Sequence, residues 1–154
     1  MASDGEARQV VVVGVDGSPG SIAALSWAGR YGAATGATVW ALHIWHYPTS
    51  AGLPPGITPE SVDDEVKANQ RKELDEAIAK ANLDPAAQVE SKIGYGHPAQ
   101  VLIDASEEAD LLVVGSRGHG AWTGMLVGSV SIHCVTGAHC PVVVVRSQDG
   151  HHRS

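Results

Sequence analysis

Short runs of apolar residues recur along the chain and alternate with longer segments of a different periodicity. Each run holds four to eight residues, is rich in valine, leucine or isoleucine, and is bounded by polar residues, glycine or proline. Runs of this length and β-branched character predict buried strands. The runs are 9–15, Thr38–Trp45, 111–114 and 141–145, and the short segment 89–93, with valine and isoleucine at its ends, is a further predicted strand.

The segments between the runs carry apolar residues at helical spacing. The first begins at Ser18 and Pro19, a pair typical of a helix N-cap followed by its first residue, and ends near Gly36. The others are 60–82, 99–108 and 129–136. Alternating strands and helices predict a single-domain α/β fold. We expect an open five-stranded parallel sheet with helices on both faces, Rossmann-like, with strand order 3-2-1-4-5.

The 154-residue chain is long enough for one core, which we assign to 1–147, with a polar, frayed tail over 148–154. Its formal net charge is −7, and no basic patch suited to nucleic acid is present in the sequence. No apolar run approaches the ~20 residues of a membrane-spanning helix, and no secretory leader opens the chain. These features predict a cytoplasmic protein without nucleic-acid or membrane partners.

A glycine-spaced loop follows the fourth predicted strand. Gly115 and Gly118 are followed, after nine intervening residues, by Gly128 and Ser129 at the start of the last predicted helix. Glycine lets backbone N–H groups approach an anion without interference from a Cβ, and a helix start attracts negative charge. The pattern predicts a phosphate cradle, although glycines also end strands and begin helices in α/β domains that bind no phosphate.

Two other positions meet this loop at the same sheet edge, because ligands of such sheets bind beyond the carboxyl ends of the strands where strand order reverses. Asp16 ends the first strand, and His43 and Ile44 lie near the end of the second. Asp16 could accept ribose hydroxyl groups or help to hold Mg²⁺, or it could serve only the turn into the first helix. The proline-rich loop 46–59 leaves the same edge and is a candidate lid.

Other nucleotide motifs do not fit the sequence. A Walker loop requires a glycine-lysine pair, which the chain lacks. A dinucleotide fingerprint requires G-x-G-x-x-G after the first strand, where the glycines instead have the spacing of Gly14, Gly17 and Gly20. A flavodoxin-like FMN site would share the sheet and the crevice and ranks third, after adenine nucleotide and the enzyme alternative below.

The side chains with reactive or metal-binding chemistry do not form a convincing catalytic or metal site. His133 and Cys134 are adjacent on a predicted helix and point about 100° apart, which disfavours zinc binding. We interpret Cys134 as a small core residue. His97 and His119 fall on loops where either could touch phosphate, or could simply be solvated. No nucleophile and base pair is recognisable, so we expect any ATP turnover to be slow.

Four motifs resemble the universal stress protein family, in its ATP-binding branch. They are the glycine loop, V-x-V-D-G-S ending at Ser18, L-H-I ending at Ile44, and C-P-V-V-V-V beginning at Cys140. The resemblance implies a nucleotide-dependent stress-response or signalling protein that binds ATP, AMP or cyclic AMP, with Asp16 in contact with the ribose or adenine. A Mg²⁺ ion carried by the phosphates remains the other expectation for Asp16. The nucleotide-binding residues that it implies are Val15, Asp16, Ile44, Gly115, Arg117, Gly118, Gly128, Ser129, Val130 and Ser131.

Two alternatives stay open: a slow ATPase or nucleotide hydrolase on the same fold, and a family member that acts through protein contacts without nucleotide.

The strand from Pro141 to Val145 has no later strand to pair with and carries four consecutive valines. An apolar edge of this kind predicts pairing with its own copy in a homodimer, and the resemblance implies the same dimer.

Overall fold

A computed structural model describes residues 8–45, 55–61, 63–116 and 128–147. Within them, five strands alternate with four helices in the predicted order. The strands are β1 (Val10–Val15), β2 (Thr38–Trp45), β3 (Gln88–Tyr95), β4 (Leu111–Gly115) and β5 (Val142–Val145). The helices are α1 (Pro19–Thr35), α2 (Asp64–Ala81), α3 (Pro98–Ala105) and α4 (Ser129–Gly137). Short 3₁₀ helices cover Pro59–Ser61 and Ser106–Glu108.

The strands form one parallel sheet in the order β3-β2-β1-β4-β5, which confirms the predicted topology. Strand β1 lies at the centre, with Val13 opposite Ala41 of β2 on one side and Val113 of β4 on the other. Strands β2 and β3 are added on one side of β1, and β4 and β5 are added on the other side. Strand order therefore reverses between β1 and β4. The carboxyl ends of both strands meet at the predicted crevice.

Each face of the sheet carries its own core. Helices α1 and α2 pack on one face through small or branched side chains such as Ala24, Leu25 and Leu74. Helices α3 and α4 pack on the other through Leu102 and Cys134. Alternate residues of a strand point to opposite faces, so β1 supplies valines to both cores. Burial on both faces explains why the central strands β1 and β4 are almost uninterrupted apolar runs.

The structure moves three predicted boundaries. Helix α2 begins at Asp64 instead of residue 60, because the Asp63 carboxylate accepts a hydrogen bond from Glu65 N and caps the helix there. Strand β3 is longer than predicted, because it pairs with β2 along its whole length. The third helix starts at Pro98 and tightens into a 3₁₀ turn after Ala105. Within the part of the chain that the structure describes, no helix is long and apolar enough to cross a membrane.

Candidate functional site

The turn from β1 into α1 is held together by its own polar side chains. Asp16 Oδ1 accepts hydrogen bonds from Ser18 N at 2.9 Å and Ser18 Oγ at 2.5 Å. Ser18 Oγ in turn accepts from Ser21 N at 3.2 Å, while Ser21 Oγ accepts from Asp16 N at 3.1 Å. Gly17 takes a left-handed φ of 82° at the apex of this turn. Asp16 is therefore fixed at the crevice by its role in the turn, and the residue remains exposed to solvent.

The end of β4 lies directly against this turn. A Cβ added at Gly115 would lie 2.6 Å from both the carbonyl carbon and the oxygen of Gly20, in the first turn of α1. No side chain can occupy that space without moving backbone. Packing between β4 and α1 thus accounts for Gly115, independently of any ligand.

The start of α4 is joined to the end of β4 by hydrogen bonds from Ser131 Oγ and Gly128 N, and Ser131 Oγ also lies 3.4 Å from Ser116 O. Ser131 Oγ donates to Gly115 O, and Gly128 N donates to Ser116 O, each at 2.5 Å. The first bond within the helix runs from Ile132 N to Gly128 O. Gly128 supplies no side-chain cap. The N–H groups of Ser129, Val130 and Ser131 consequently have no acceptor among the described residues.

His43 connects the end of β1 to α2. Its ring is buried, with Nδ1 3.0 Å from Val15 O and Nε2 2.8 Å from Gln70 Oε1. A carbonyl oxygen only accepts, so Nδ1 carries a proton. Glu73 Oε1 lies 3.8 Å from Nε2. The imidazole therefore fixes the carboxyl end of β1, one residue before Asp16.

The backbone of Ile44 faces the crevice. Thr38 N donates to Gln9 O on the β1 side of β2, and Trp45 O accepts from Gly96 N on the β3 side. Backbone N–H and C=O groups alternate in direction along a strand, so those of the even-numbered residues of β2 point toward β1. Those of the odd-numbered residues point toward β3. Ile44 lies one residue beyond the last β1–β2 pair. Its carbonyl oxygen points past the end of β1 and receives no hydrogen bond from the described residues.

A cleft of about 120 Å³ opens beside this edge, between the end of β1 and helix α2. Its lining carries three carboxylates and one lysine. The lining residues are Asp16, Gly17, Ile22, His43, Glu73, Glu76, Ala77 and Lys80. Glu73 and Lys80 are surface side chains of α2, so the cleft is an extension of the crevice and not an enclosed cavity.

The structure brings together most of the residues that the sequence predicted for the site. Val15, Asp16, Ile44 and Gly115 lie at the carboxyl ends of three neighbouring strands, and the first turn of α4 joins them through Ser131. Arg117, Gly118 and His119 lie outside the described residues. So do most of the predicted lid, 46–54, and the tail 148–154.

Two features of the edge were missed by sequence reasoning. The first is the His43–Gln70 contact, because nothing in a sequence pairs a strand residue with one particular residue of a later helix. The second is the approach of Gly115 to Gly20, for which the only signal was a glycine at each position. Ser18 was predicted as a cap, and the structure confirms it.

The cysteines and histidines of the last helix do not converge. Cys134 is fully buried in the core under α4, where burial raises the pKa of its thiol to about 11. His133 lies on the exposed side, with Nδ1 2.9 Å from Ser129 O. Among the described residues, no group of three or more histidine, cysteine or acidic side chains could hold a metal ion.

Comparison with known sequences places this geometry in context. The family model of the universal stress protein family matches residues 7–146. A universal stress protein of Mycolicibacterium smegmatis is 37% identical over 142 residues, covering 92% of this chain and 47% of its own length. The chain thus spans about half the length of the curated relatives it matches.

Solved structures share the fold. Universal stress protein UspA from Lactobacillus plantarum superposes with a TM-score of 0.72 at 25% identity, covering 92% of this chain and all of the other. A universal stress protein in complex with cAMP gives a TM-score of 0.63 at 28% identity and covers 93% of this chain and all of its own.

Proposed function

Because the chain belongs to the universal stress protein family, we propose that it is a nucleotide-binding stress-response protein that holds ATP in the crevice between β1 and β4. The observation that carries this proposal is the uncapped start of α4. Three consecutive N–H groups there have no acceptor among the described residues, and they lie beside Gly115 at the reversal of strand order. A phosphate group would accept from them and would be favoured by the helix dipole.

The opposite wall of the crevice suits the rest of an adenine nucleotide. The Ile44 carbonyl oxygen could accept a hydrogen bond from the exocyclic amine of the base. The Asp16 carboxylate, already oriented by Ser18, could accept from ribose hydroxyl groups or bind Mg²⁺ that the phosphates carry. Magnesium usually takes one or two carboxylates together with phosphate oxygens, so a single carboxylate here fits Mg-ATP and does not require a separate metal site.

The cAMP complex of a 28% identical family member supports an adenine ligand. The choice between ATP, AMP and cAMP rests on the phosphate end, because the base and ribose are common to all three. The protein's net charge of −7 repels a highly charged ligand, so the α4 start and Mg²⁺ must compensate for that repulsion if ATP is bound. Mass spectrometry of small molecules released from freshly purified protein identifies the bound species directly.

The decisive experiment is calorimetric titration with Mg-ATP of the wild type and two glycine variants. Gly118→Val and Gly128→Val each place a side chain in the predicted cradle and should abolish binding. Gly128 has φ −82°, which valine adopts readily, so this variant should stay folded. Thr136→Ala, on the exposed far end of α4, is the matched control and should bind normally. Unchanged affinity in both valine variants would refute the cradle.

Turnover separates this proposal from the hydrolase alternative. At the crevice, the hydrogen bonds given for Asp16 serve the turn into α1, and the His43 ring is bound at both nitrogens, to Val15 O and Gln70 Oε1, so neither is set up by the described residues as a base for attack by water. We expect ATP hydrolysis far below the ~1–100 s⁻¹ typical of kinases. Fast phosphate release that Asp16→Asn eliminates without unfolding would make the protein an ATPase. Failure of the wild type to bind any adenine nucleotide would favour a role through protein contacts alone.

We also propose that two copies pair through β5. Leu112 N donates to Pro141 O, and Ser116 N donates to Val145 O, so the odd-numbered residues of β5 face β4. The N–H and C=O groups of Val142 and Val144 therefore point away from the sheet. Two copies related by a two-fold axis at Val143 would satisfy all four groups and would cover valines that are only half-buried.

Light scattering tests the homodimer. The wild type should be dimeric at high micromolar concentration, and Val143→Lys, or Val144→Lys on the other face, should be monomeric. The proposed register places Val143 opposite its own copy in a non-hydrogen-bonded pair, with Cα atoms about 4.5 Å apart. Val143→Cys should therefore form a symmetric disulfide, whereas Val142→Cys should cross-link poorly. A monomeric wild type would refute the interface.

A further inference from the structure

The edge strand and the start of α4 are connected through one residue. Ser116 N donates to Val145 O at 2.8 Å, at the end of β5, and Ser116 O accepts from Gly128 N at 2.5 Å. Ser116 itself is only 4% exposed. We call this pair of hydrogen bonds the Ser116 bridge. It connects β5, the proposed interface between copies, to the start of α4, the proposed phosphate cradle.

Ser131 strengthens the same connection. Its side chain is 3% exposed, and its hydroxyl donates to Gly115 O at 2.5 Å. The hydroxyl is therefore turned into the protein instead of toward the crevice. Only the backbone N–H of Ser131 is available for a ligand, and the side chain acts as a positioning residue that ties the first turn of α4 to the end of β4.

We propose that nucleotide binding at α4 and pairing of two copies through β5 are linked by the Ser116 bridge, with Ser131 as the residue that positions it; this rests on the function proposed above. The end of β5 is a short edge segment, four residues long and paired on one side only. Such a segment is the part of a sheet that opens most easily. A phosphate bound at the start of α4 holds Gly128 in place, and the two hydrogen bonds of Ser116 transmit this restraint to the end of β5. A second copy paired with β5 orders the same two hydrogen bonds from the other side.

Linkage of this kind is reciprocal, so one coupling factor describes both equilibria. Sedimentation equilibrium of the wild type, with and without saturating Mg-ATP, gives the change in the dimer dissociation constant. Calorimetric titration at protein concentrations below and above that constant gives the change in ATP affinity. We expect the ATP affinity of each site to be about fivefold or more higher in the dimer. The dimer dissociation constant at saturating Mg-ATP should fall by the square of that coupling factor, because each dimer binds two ATP.

Two variants of α4 test the bridge. Ser131→Ala removes the hydroxyl contacts with Gly115 O and Ser116 O and leaves every backbone N–H of the cradle in place. The coupling factor should fall toward 1, while both the dimer and the bound nucleotide remain measurable. Thr136→Ala is the matched control, because within the described part of the chain its hydroxyl donates to carbonyls of its own helix, Ile132 O and His133 O. Its coupling factor should equal that of the wild type.

The outcomes distinguish this inference from the function on which it rests. Absence of ATP binding at any protein concentration refutes the proposed function. ATP binding that is equally tight in monomer and dimer leaves the function standing and overturns the linkage. A wild type that never dimerises also overturns it. A coupling factor that survives Ser131→Ala assigns the linkage to other contacts and removes Ser131 from it.

Discussion

Helices α1 and α4 both begin at the carboxyl edge of the sheet, and their first turns are built in opposite ways. The α1 start has its own acceptor, Ser18, and a proline at the first helical position, which has no N–H to satisfy. The α4 start has a glycine cap and neither of these features. In α1 the Ser18 side chain accepts from Ser21 N and Pro19 has no N–H, whereas in α4 the N–H groups of 129–131 have no acceptor among the described residues.

This difference assigns separate tasks to two similar turns. The α1 turn uses its hydrogen bonds to orient a carboxylate, Asp16, which would repel an anion placed next to it. The α4 turn carries no charge in its first turn. A nucleotide that spans both turns would present hydroxyl groups or Mg²⁺ to one and phosphate to the other.

The largest effect should come from the contact that joins the two turns. Gly115→Ala drives a Cβ into the backbone of Gly20, which cannot move without displacing α1. We expect the free energy of unfolding to fall by about 3 kcal/mol, as measured by urea denaturation.

Gly137→Ala is the matched control for this substitution. Its Cβ would meet Ile103 Cδ1 at 3.0 Å, the tip of a flexible side chain. The free energy of unfolding of this variant should differ from that of the wild type by no more than about 1 kcal/mol. Equal losses in the two variants would show that the close approach to Gly20 has no special cost.

The next effect follows from making the α4 start resemble the α1 start. Gly128→Asp supplies the missing side-chain acceptor, so stability should rise by about a few tenths of a kcal/mol. The added carboxylate occupies the same N–H groups as a phosphate and repels it. Mg-ATP affinity should therefore fall more than about tenfold, a loss of about 1.4 kcal/mol in binding free energy. Gly128→Asn introduces a neutral cap of the same shape and should lower Mg-ATP affinity less.

The fold was predictable because each of its signals is local. Alternating apolar runs and helical segments, the Ser18-Pro19 start and the glycine stop at Gly36 needed only neighbouring residues, and the structure confirms them. The prediction of a parallel sheet with helices on both faces followed from connection rules that hold for α/β domains generally.

The details of the edge were less predictable, because they depend on contacts between distant segments. The sequence indicated glycine at 115 and serine at 131 as candidate phosphate ligands, whereas the structure turns the Ser131 hydroxyl inward and explains Gly115 by packing. The roles of Arg117 and Gly118 stay predictions, since they fall outside the described residues.

A smaller effect is expected at the capped turn. Ser18→Ala removes the acceptor for Ser21 N and one of the two donors to Asp16 Oδ1. The free energy of unfolding should fall by about 1 kcal/mol, the usual cost of losing such a cap. Ser18→Thr keeps the hydroxyl and should restore most of it. Mg-ATP affinity should change less than in Gly128→Asp; a larger loss of affinity would place Ser18 itself against the ligand.

The last difference between the two helices appears only in alkali. Leu25 and Ala28 anchor α1 to the sheet and cannot ionise, whereas Cys134 anchors α4, and burial raises the pKa of its thiol from 9.0 to about 11. The unfolded chain loses this proton near pH 9 while the folded chain keeps it. Stability should consequently be unaffected at neutral pH and should decline as pH rises from about 9 toward 11. Cys134→Ala removes this contribution, so the difference in unfolding free energy between wild type and variant should shrink over that interval. A difference that stays constant from pH 8 to 11 would mean that the thiol titrates alike in both states, and that α4 is open to solvent along its buried side as well as at its start.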